Sequence, residues 1–333
     1  MEHIIMNLHL DKENFEGAIT AAADYFSIPE IFIEKDYWVT YALAELFQSE
    51  VKDRVVFKGG TSLSKCYKII ERFSEDIDLV IIKKDSDTGN ELKRKLKEIT
   101  EVVDKSILQE VTGDAQTNKG GSVRKIVYSY PKIGMSGNYG QVREHITVEV
   151  SHLGNYMPNE TRSICTLIAD YIKTLPEDAG LITQFGLQDF EVCALAVERT
   201  FCEKIISLIR FSYSKTPLED LSQKVRHTYD LHQLLQLEKI QNFIASKKFD
   251  SMLLQVAMDD DKAIPNDKAW LYEHPKEAFI FSKTSIVWNQ LKKVYTTSFK
   301  ELVTGHLPDE NKILETLLLI SERLEKMEWS VKK

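Results

Sequence analysis

At 333 residues, 43% of them hydrophobic and 28% charged, the chain has room for one large or two ordinary domains and an ordinary soluble composition. Its net charge of −8 excludes recruitment to nucleic acid by the overall field, so such a partner must be met by local patches of lysine and arginine. No basic segment followed by an apolar run opens the sequence, and no stretch approaches the roughly 20 apolar residues that span a bilayer. A cytoplasmic location without membrane contact is expected.

In chain order, residues 12–25 and 30–47 read as helices, the second entered through Pro29 and carrying Ile31, Trp38, Ala42 and Leu46. Residues 54–58 hold Val55-Val56-Phe57, a short apolar run that ends at Gly59-Gly60, the pattern of a buried strand entering a tight turn. Helical character follows over 61–71. A second strand is predicted over 77–82, and a charged amphipathic helix over 89–109. Further strands are predicted over 122–130 and 143–151, with a loop or hairpin end around Gly134 to Asn138. From about residue 190, over 192–211, 217–237 and most of 238–330, helical periodicity replaces strand alternation, and 258–276 reads as a surface loop. This order predicts an α/β (α+β) domain with a small mixed sheet followed by a helical lobe, divided as 1–210 and 211–333.

The four cysteines, Cys66, Cys165, Cys193 and Cys202, show no Cys-x-x-Cys spacing and read as buried, reduced thiols. His227 and His232 are five apart, a poor spacing for two ligands on one helical face, so structural zinc is not expected. Lys83-Lys84 with Lys93, Arg94, Lys95 and Lys97 form a basic run. It is either a nucleic-acid patch or a solvated helix face paired with Glu91 and Glu98. Lys292, Lys293 and Lys300 are a second candidate patch.

The informative stretch runs from Phe57 to Leu79: a strand, a glycine turn, a helix start, then two aspartates on a strand. Gly59 and Gly60 permit backbone conformations closed to other residues and a close approach of the main chain. Thr61 and Ser62 sit where hydroxyls and the free amides of a helix start hold phosphate. Asp76 and Asp78, two apart on a strand, point to one face while Ile77, Leu79 and Ile81 point to the other. Paired carboxylates repel unless a divalent cation lies between them, and magnesium favours such a site when substrate phosphates complete its shell. Each piece alone is ordinary: a turn, and a solvated acidic strand.

Together these residues resemble the polymerase-β-type nucleotidyltransferase signature, a glycine turn followed by an Asp-x-Asp strand. More closely, they resemble the AbiEii/AbiGii toxin family of bacterial abortive-infection and toxin–antitoxin systems. Its Gly-Gly-Thr-x-Leu element is matched by Gly59-Gly60-Thr61-Ser62-Leu63, and its Arg-x-Ser-x-Asp-x-Asp element by Arg72 to Asp78. Glu34 to Val39 resembles the family's N-terminal helix, Val148-Glu149-Val150 its second motif, Arg199 to Lys204 its third, and Arg226 to Leu231 its fourth.

The resemblance implies a polymerase-β-like catalytic lobe followed by a helical lobe. It also implies transfer of a nucleotide from an NTP to an acceptor such as a tRNA 3′ end, and a cognate antitoxin. On this reading Asp76 and Asp78 bind magnesium, and Glu149 is a third carboxylate that binds metal or accepts the acceptor hydroxyl's proton, or else an exposed strand glutamate. Lys204 reaches the nucleotide phosphates, or else pairs with Glu203 or Glu198. Asp230 orients Lys204 or Arg226, contacts the nucleotide, or simply pairs with Arg226 four residues away on its helix. Arg72 and Ser74, beside the metal pair, are candidate phosphate contacts, and Lys65 a weaker one. Glu34, Lys35 and Asp36 are matched without a catalytic role, or lock the N-terminal helix onto the core. Two other functions compete: a small-molecule nucleotidyltransferase of the aminoglycoside-modifying type, and a catalytically silent binding module.

Overall fold

Strands of alternating or continuous apolar residues build one mixed sheet in the computed structural model, which describes residues 5–133, 144–263 and 269–331. The strands are β1 (Val55–Lys58), β2 (Asp76–Ile81), β3 (Gln109–Glu110), β4 (Asn118–Lys119), β5 (Val123–Ser129), β6 (Ile146–Ser151), β7 (Asn159–Ile164) and β8 (Phe190–Leu195). Their order across the sheet is β3-β5-β6-β2-β1-β8-β7, with β4 on β5. β2 lies at the middle, antiparallel to β1 and parallel to β6.

The chain divides into two compact units. The first comprises Met1–Lys68, Phe73–His152 and Asn159–Ala194; the second Ile69–Arg72, Leu153–Pro158 and Leu195–Lys333. In the first, α1 (Lys12–Phe26), α2 (Glu30–Phe47), α3 (Gly59–Lys65), α4 (Gly89–Asp104), α5 (Leu167–Ile172) and α6 (Gly180–Gln184) accompany the sheet. α2 and α4 pack on β6, and Ile77, Leu79, Val148 and Val150 share a buried core with Trp38, Leu46, Leu96 and Ile99. Each such side chain contributes about 1.5–3 kcal/mol on full burial, so this apolar face pins the register of β2 and with it the face that carries Asp76 and Asp78. A capping box between Thr88 and Glu91 starts α4.

The second unit's helices include α7 (Val197–Ser212), α8 (Pro217–Gln223), α9 (Val225–Leu235), α10 (Glu238–Ile244) and α11 (Lys247–Ala263). These are followed by α12 (Ala269–Tyr272), α13 (Phe279–Ser282), α14 (Thr284–Val294) and α15 (Glu310–Glu325). α7 packs against α8, α9, α10, α11 and α13, burying Phe201, Ile205, Leu208 and Ile209. Among the described residues, no helix is long and apolar enough to cross a membrane.

Several expectations change. The helix after the glycine turn ends at Lys65 rather than Glu71, and Lys68 adopts a left-handed φ of 51°. Residues 69–72 join the second unit, where Glu71 N donates to Tyr229 Oη at 3.1 Å. Phe190–Leu195 is a strand inside the region expected to be helical, because β1 pairs with it through Phe57 and Ala194. The expected surface loop at 258–276 contains the end of α11 and all of α12. The loop expected at 134–138 lies outside the described residues. Cys66 and Cys202 are buried, but Cys165 is only half-buried, held between Lys173 Nζ and Asp170 Oδ1, each at 3.2 Å; Cys193 is half-buried too.

Candidate active site

β1 delivers the chain into Gly59, whose φ of +80° is open to glycine and costly for other residues. The missing side chain matters more than the dihedral. A Cβ at Gly59 would stand 2.2 Å from Asp78 Oδ2, so the Asp78 carboxylate occupies space that only glycine leaves. No side chain caps the start of α3, which leaves the amides of the turn available to an anion. Thr61 is buried, and its hydroxyl donates to the Asp76 carbonyl at 2.5 Å while lying 2.9 Å from Ser74 Oγ. Thr61 and Ser74 therefore tie α3 to the start of β2. Ser62 is also buried, beside the Cys66 thiol.

Asp76 and Asp78 share the half-exposed face of β2, while Ile77 and Leu79 are buried on the other. Register carries the site across four neighbouring strands. Lys58 on β1 is level with Asp78, Asp78 with Glu149 on β6, and Glu149 with Lys125 on β5. The row reads lysine, aspartate, glutamate, lysine, with strands about 4.8 Å apart. Lys125 Nζ lies 3.7 Å from Glu149 Oε2. Among the described residues no group of three or more histidines, cysteines, aspartates or glutamates is gathered closely enough to hold a metal alone.

Glu34, Lys35 and Asp36 of α2 hold the surroundings of this row. Glu34 accepts from Ile133 N at 3.0 Å, and burial raises its pKa above the ordinary glutamate value. The fully buried Lys35 ammonium donates to the Glu75 carboxylate and, at 2.8 Å, to His145 O. Asp36 pairs with Lys65 of α3 and accepts from Leu167 N at 2.7 Å.

In the second unit, Arg72 makes a two-pronged contact with Asp230, Nε to Oδ1 at 2.7 Å and Nη2 to Oδ2 at 2.8 Å. Lys204 Nζ donates to the same Oδ2 at 2.6 Å. All three side chains are buried. Burial works to raise the Asp230 pKa, but the two cations overwhelm it and hold the carboxyl well below the usual range. Burial lowers the Lys204 pKa, and the nearby Arg72 adds to this against the pull of Asp230. Of the contacts weighed in sequence, Lys204 with Asp230 is present, while Arg226 with Asp230 and Lys204 with Glu203 or Glu198 give way to others: Glu203 lies 3.4 Å from Arg199 and Glu198 3.0 Å from Lys239.

Residues 41–318 match the family model of the nucleotidyl transferase AbiEii toxin, type IV toxin–antitoxin system. The chain belongs to this family. It is accordingly a nucleotidyltransferase, the toxin member of a toxin–antitoxin pair. Among solved structures it is similar to MenT4, a nucleotidyltransferase toxin from Mycobacterium tuberculosis, at 17% identity and a TM-score of 0.43, covering 92% of this chain and 96% of that one. It is also similar to a putative nucleotidyltransferase from Helicobacter pylori, at 18% identity and a TM-score of 0.40, covering 88% and 96%. A comparison with curated proteins returned no match.

In the basic run of this AbiEii-family chain, Arg94, Lys95 and Lys97 are paired with neighbouring carboxylates. Arg54 and Arg94 share Glu98 at 2.9 and 3.6 Å, Lys95 pairs with Asp87 at 2.5 Å, and Lys97 with Glu101 at 3.4 Å. Arg54, Arg94, Lys95 and Glu98 line a cavity of about 410 Å³ with Asp53, Ile82 and Lys84, and the exposed pairs of Arg54 and Arg94 with Glu98 contribute about 0–1 kcal/mol each. Sequence reasoning missed Lys58, Lys125 and Glu75. Strand alternation would have put Lys125 on a named face, but only the register places either lysine beside a carboxylate.

Proposed function

We propose that this toxin transfers a nucleotidyl group from an NTP to an acceptor hydroxyl at Asp76 and Asp78. The observation that carries the reading is the fit of the Asp78 carboxylate into the space left by Gly59, level with Glu149 on the adjoining strand. Asp76 and Asp78 would hold a divalent cation, magnesium by its preference for carboxylate and phosphate oxygens, which supplies charge neutralisation to the triphosphate. The uncapped amides from Gly59 to Ser62 contact phosphate oxygens. The acceptor oxygen attacks the α-phosphorus in line, the bond to the β-phosphate oxygen breaks, and pyrophosphate leaves. Glu149 takes the acceptor's proton.

Lys204, its ammonium fixed by Asp230 and Arg72, is a candidate positive charge for an anionic group. Thr61 and Ser74 position β2 through their hydroxyls rather than meeting phosphate first. The acceptor we assign, on family resemblance, is RNA such as a tRNA 3′ end, and the biological setting is phage-triggered growth arrest relieved by a cognate antitoxin. Incubation with each labelled NTP, magnesium and total tRNA, comparing wild type with Asp78→Ala, tests the reading. Label is expected on RNA with wild type and not with the variant. Transfer that survives the substitution, or none with any NTP, overturns it.

A further inference from the structure

We infer that Lys35 is a positioning residue for the nucleotidyl-transfer site, a buried clamp that sets the two carboxylate-bearing strands against each other. The inference rests on the assignment of Asp76, Asp78 and Glu149 made above.

A lysine with no exposure is unusual, because an ammonium leaves water only when its donors are met. Here the partners sit at the entrances to the two strands that carry the carboxylates. Glu75 immediately precedes Asp76, the first residue of β2, and His145 immediately precedes Ile146, the first residue of β6. One ammonium thus bonds a carboxylate just before one strand and a backbone carbonyl just before the other. β2 and β6 are parallel neighbours with Asp76 level with Thr147. Fixing their two entrances fixes the level at which Asp78 and Glu149 face each other.

The residues around Lys35 point the same way. Phe32, one turn earlier on α2, stacks on Phe73 with centroids 4.3 Å apart, and the Lys35 ammonium lies 5.9 Å from the centroid of that ring. Asp36 grips Lys65 at the end of α3, the helix begun by the glycine turn. Glu34 holds Ile133, on the other side of the β5–β6 connection from His145. Three consecutive α2 side chains hold the turn helix, the entrance of β2 and both ends of the connection into β6. A purely apolar α2 would pack on the core as well without a buried charge, so the cost of burying Lys35 is offset by the geometry it imposes.

The test uses the full chain. Lys35→Met alone takes the ammonium away from the Glu75 carboxylate, so the deciding variant is Lys35→Met/Glu75→Gln, which removes both charges. Hydrogen–deuterium exchange of β2 and β6 and binding of Mn2+ are measured on it, on wild type and on Asp78→Ala. The double variant is expected to exchange faster at the first residues of both strands and to bind Mn2+ about 10–100-fold more weakly, the range for lost support of a metal ligand. Wild-type exchange in both strands, or wild-type Mn2+ affinity where Asp78→Ala has lost it, overturns the inference. Should wild type bind no Mn2+, or Asp78→Ala bind as wild type does, the metal assignment fails, while the exchange measurement still decides the clamp. If the double variant does not fold, Glu75→Ala leaves Lys35 on His145 and is expected to loosen β2 but not β6; equal loosening, or none, counts against the clamp.

Discussion

Replacing Gly59 by alanine is expected to harm the candidate site more than the fold. The added Cβ would stand 2.2 Å from Asp78 Oδ2, 3.1 Å from its Cγ and 3.2 Å from its Cβ. Non-bonded carbons settle at about 3.5–4.0 Å, so the carboxylate must retreat by roughly 1 Å. A misplacement of that size costs about 10²-fold in rate where geometry is set for in-line transfer. The left-handed φ adds about 1–2 kcal/mol for alanine. That lowers the melting temperature by about 2–4 °C per kcal/mol in a domain of 150–250 residues. Nucleotide transfer at saturating NTP, measured well below the melting temperature, separates the two effects. A Gly59→Ala enzyme that melts earlier yet turns over at the wild-type rate would refute the role given to the Gly59–Asp78 contact.

Asp230→Asn leaves Arg72 and Lys204 buried without their carboxylate, a loss of about 3–5 kcal/mol. The folded-state pKa of Asp230 is depressed from 3.8, so its contribution is full above that value and vanishes as pH falls toward the folded one. Urea denaturation should show the deficit constant from neutral pH down to about 5 and closing below about 4; a deficit that grows on acidification contradicts the assignment. Thr61→Val removes the 2.5 Å bond to the Asp76 carbonyl and is expected to cost about 1–3 kcal/mol, with an unchanged melting curve counting against that bond. Glu149→Gln should lower turnover about 10²–10⁴-fold if Glu149 is the base. Its half-exposed pair with Lys125 contributes at most about 1 kcal/mol, so a variant that melts much earlier argues for a structural glutamate instead.

The elements that could be read locally were those whose signal is local. Ile77, Leu79 and Ile81 alternate with Asp76, Asp78 and Val80, and that period places β2 and its acidic face without any knowledge of its neighbours. β8 was hidden because Phe190 to Leu195 runs without a break into the apolar start of α7, where periodicity cannot tell a strand from a helix turn. β7, Asn159–Ile164, carries polar residues that suit an edge position and resemble a loop. Helical spacing offers Arg226, four residues away, as a partner for Asp230; the carboxylate instead binds Lys204, which the motif reading also offers, and Arg72, 158 positions distant, which it does not. Lys35 shows the same limit. Its surroundings on α2 mark it as core, but nothing short of the fold brings Glu75 and His145 to its ammonium.

The central claim is most directly tested by supplying the enzyme with NTP labelled at either the α- or the γ-phosphate, together with RNA acceptor and magnesium. Label from the α-position should become attached to RNA while γ-label leaves as pyrophosphate, one pyrophosphate per nucleotide added, and both should cease in Asp76→Ala and Asp78→Ala. Attachment of γ-label to the acceptor, or α-transfer undiminished in either variant, would contradict nucleotidyl transfer at Asp76 and Asp78.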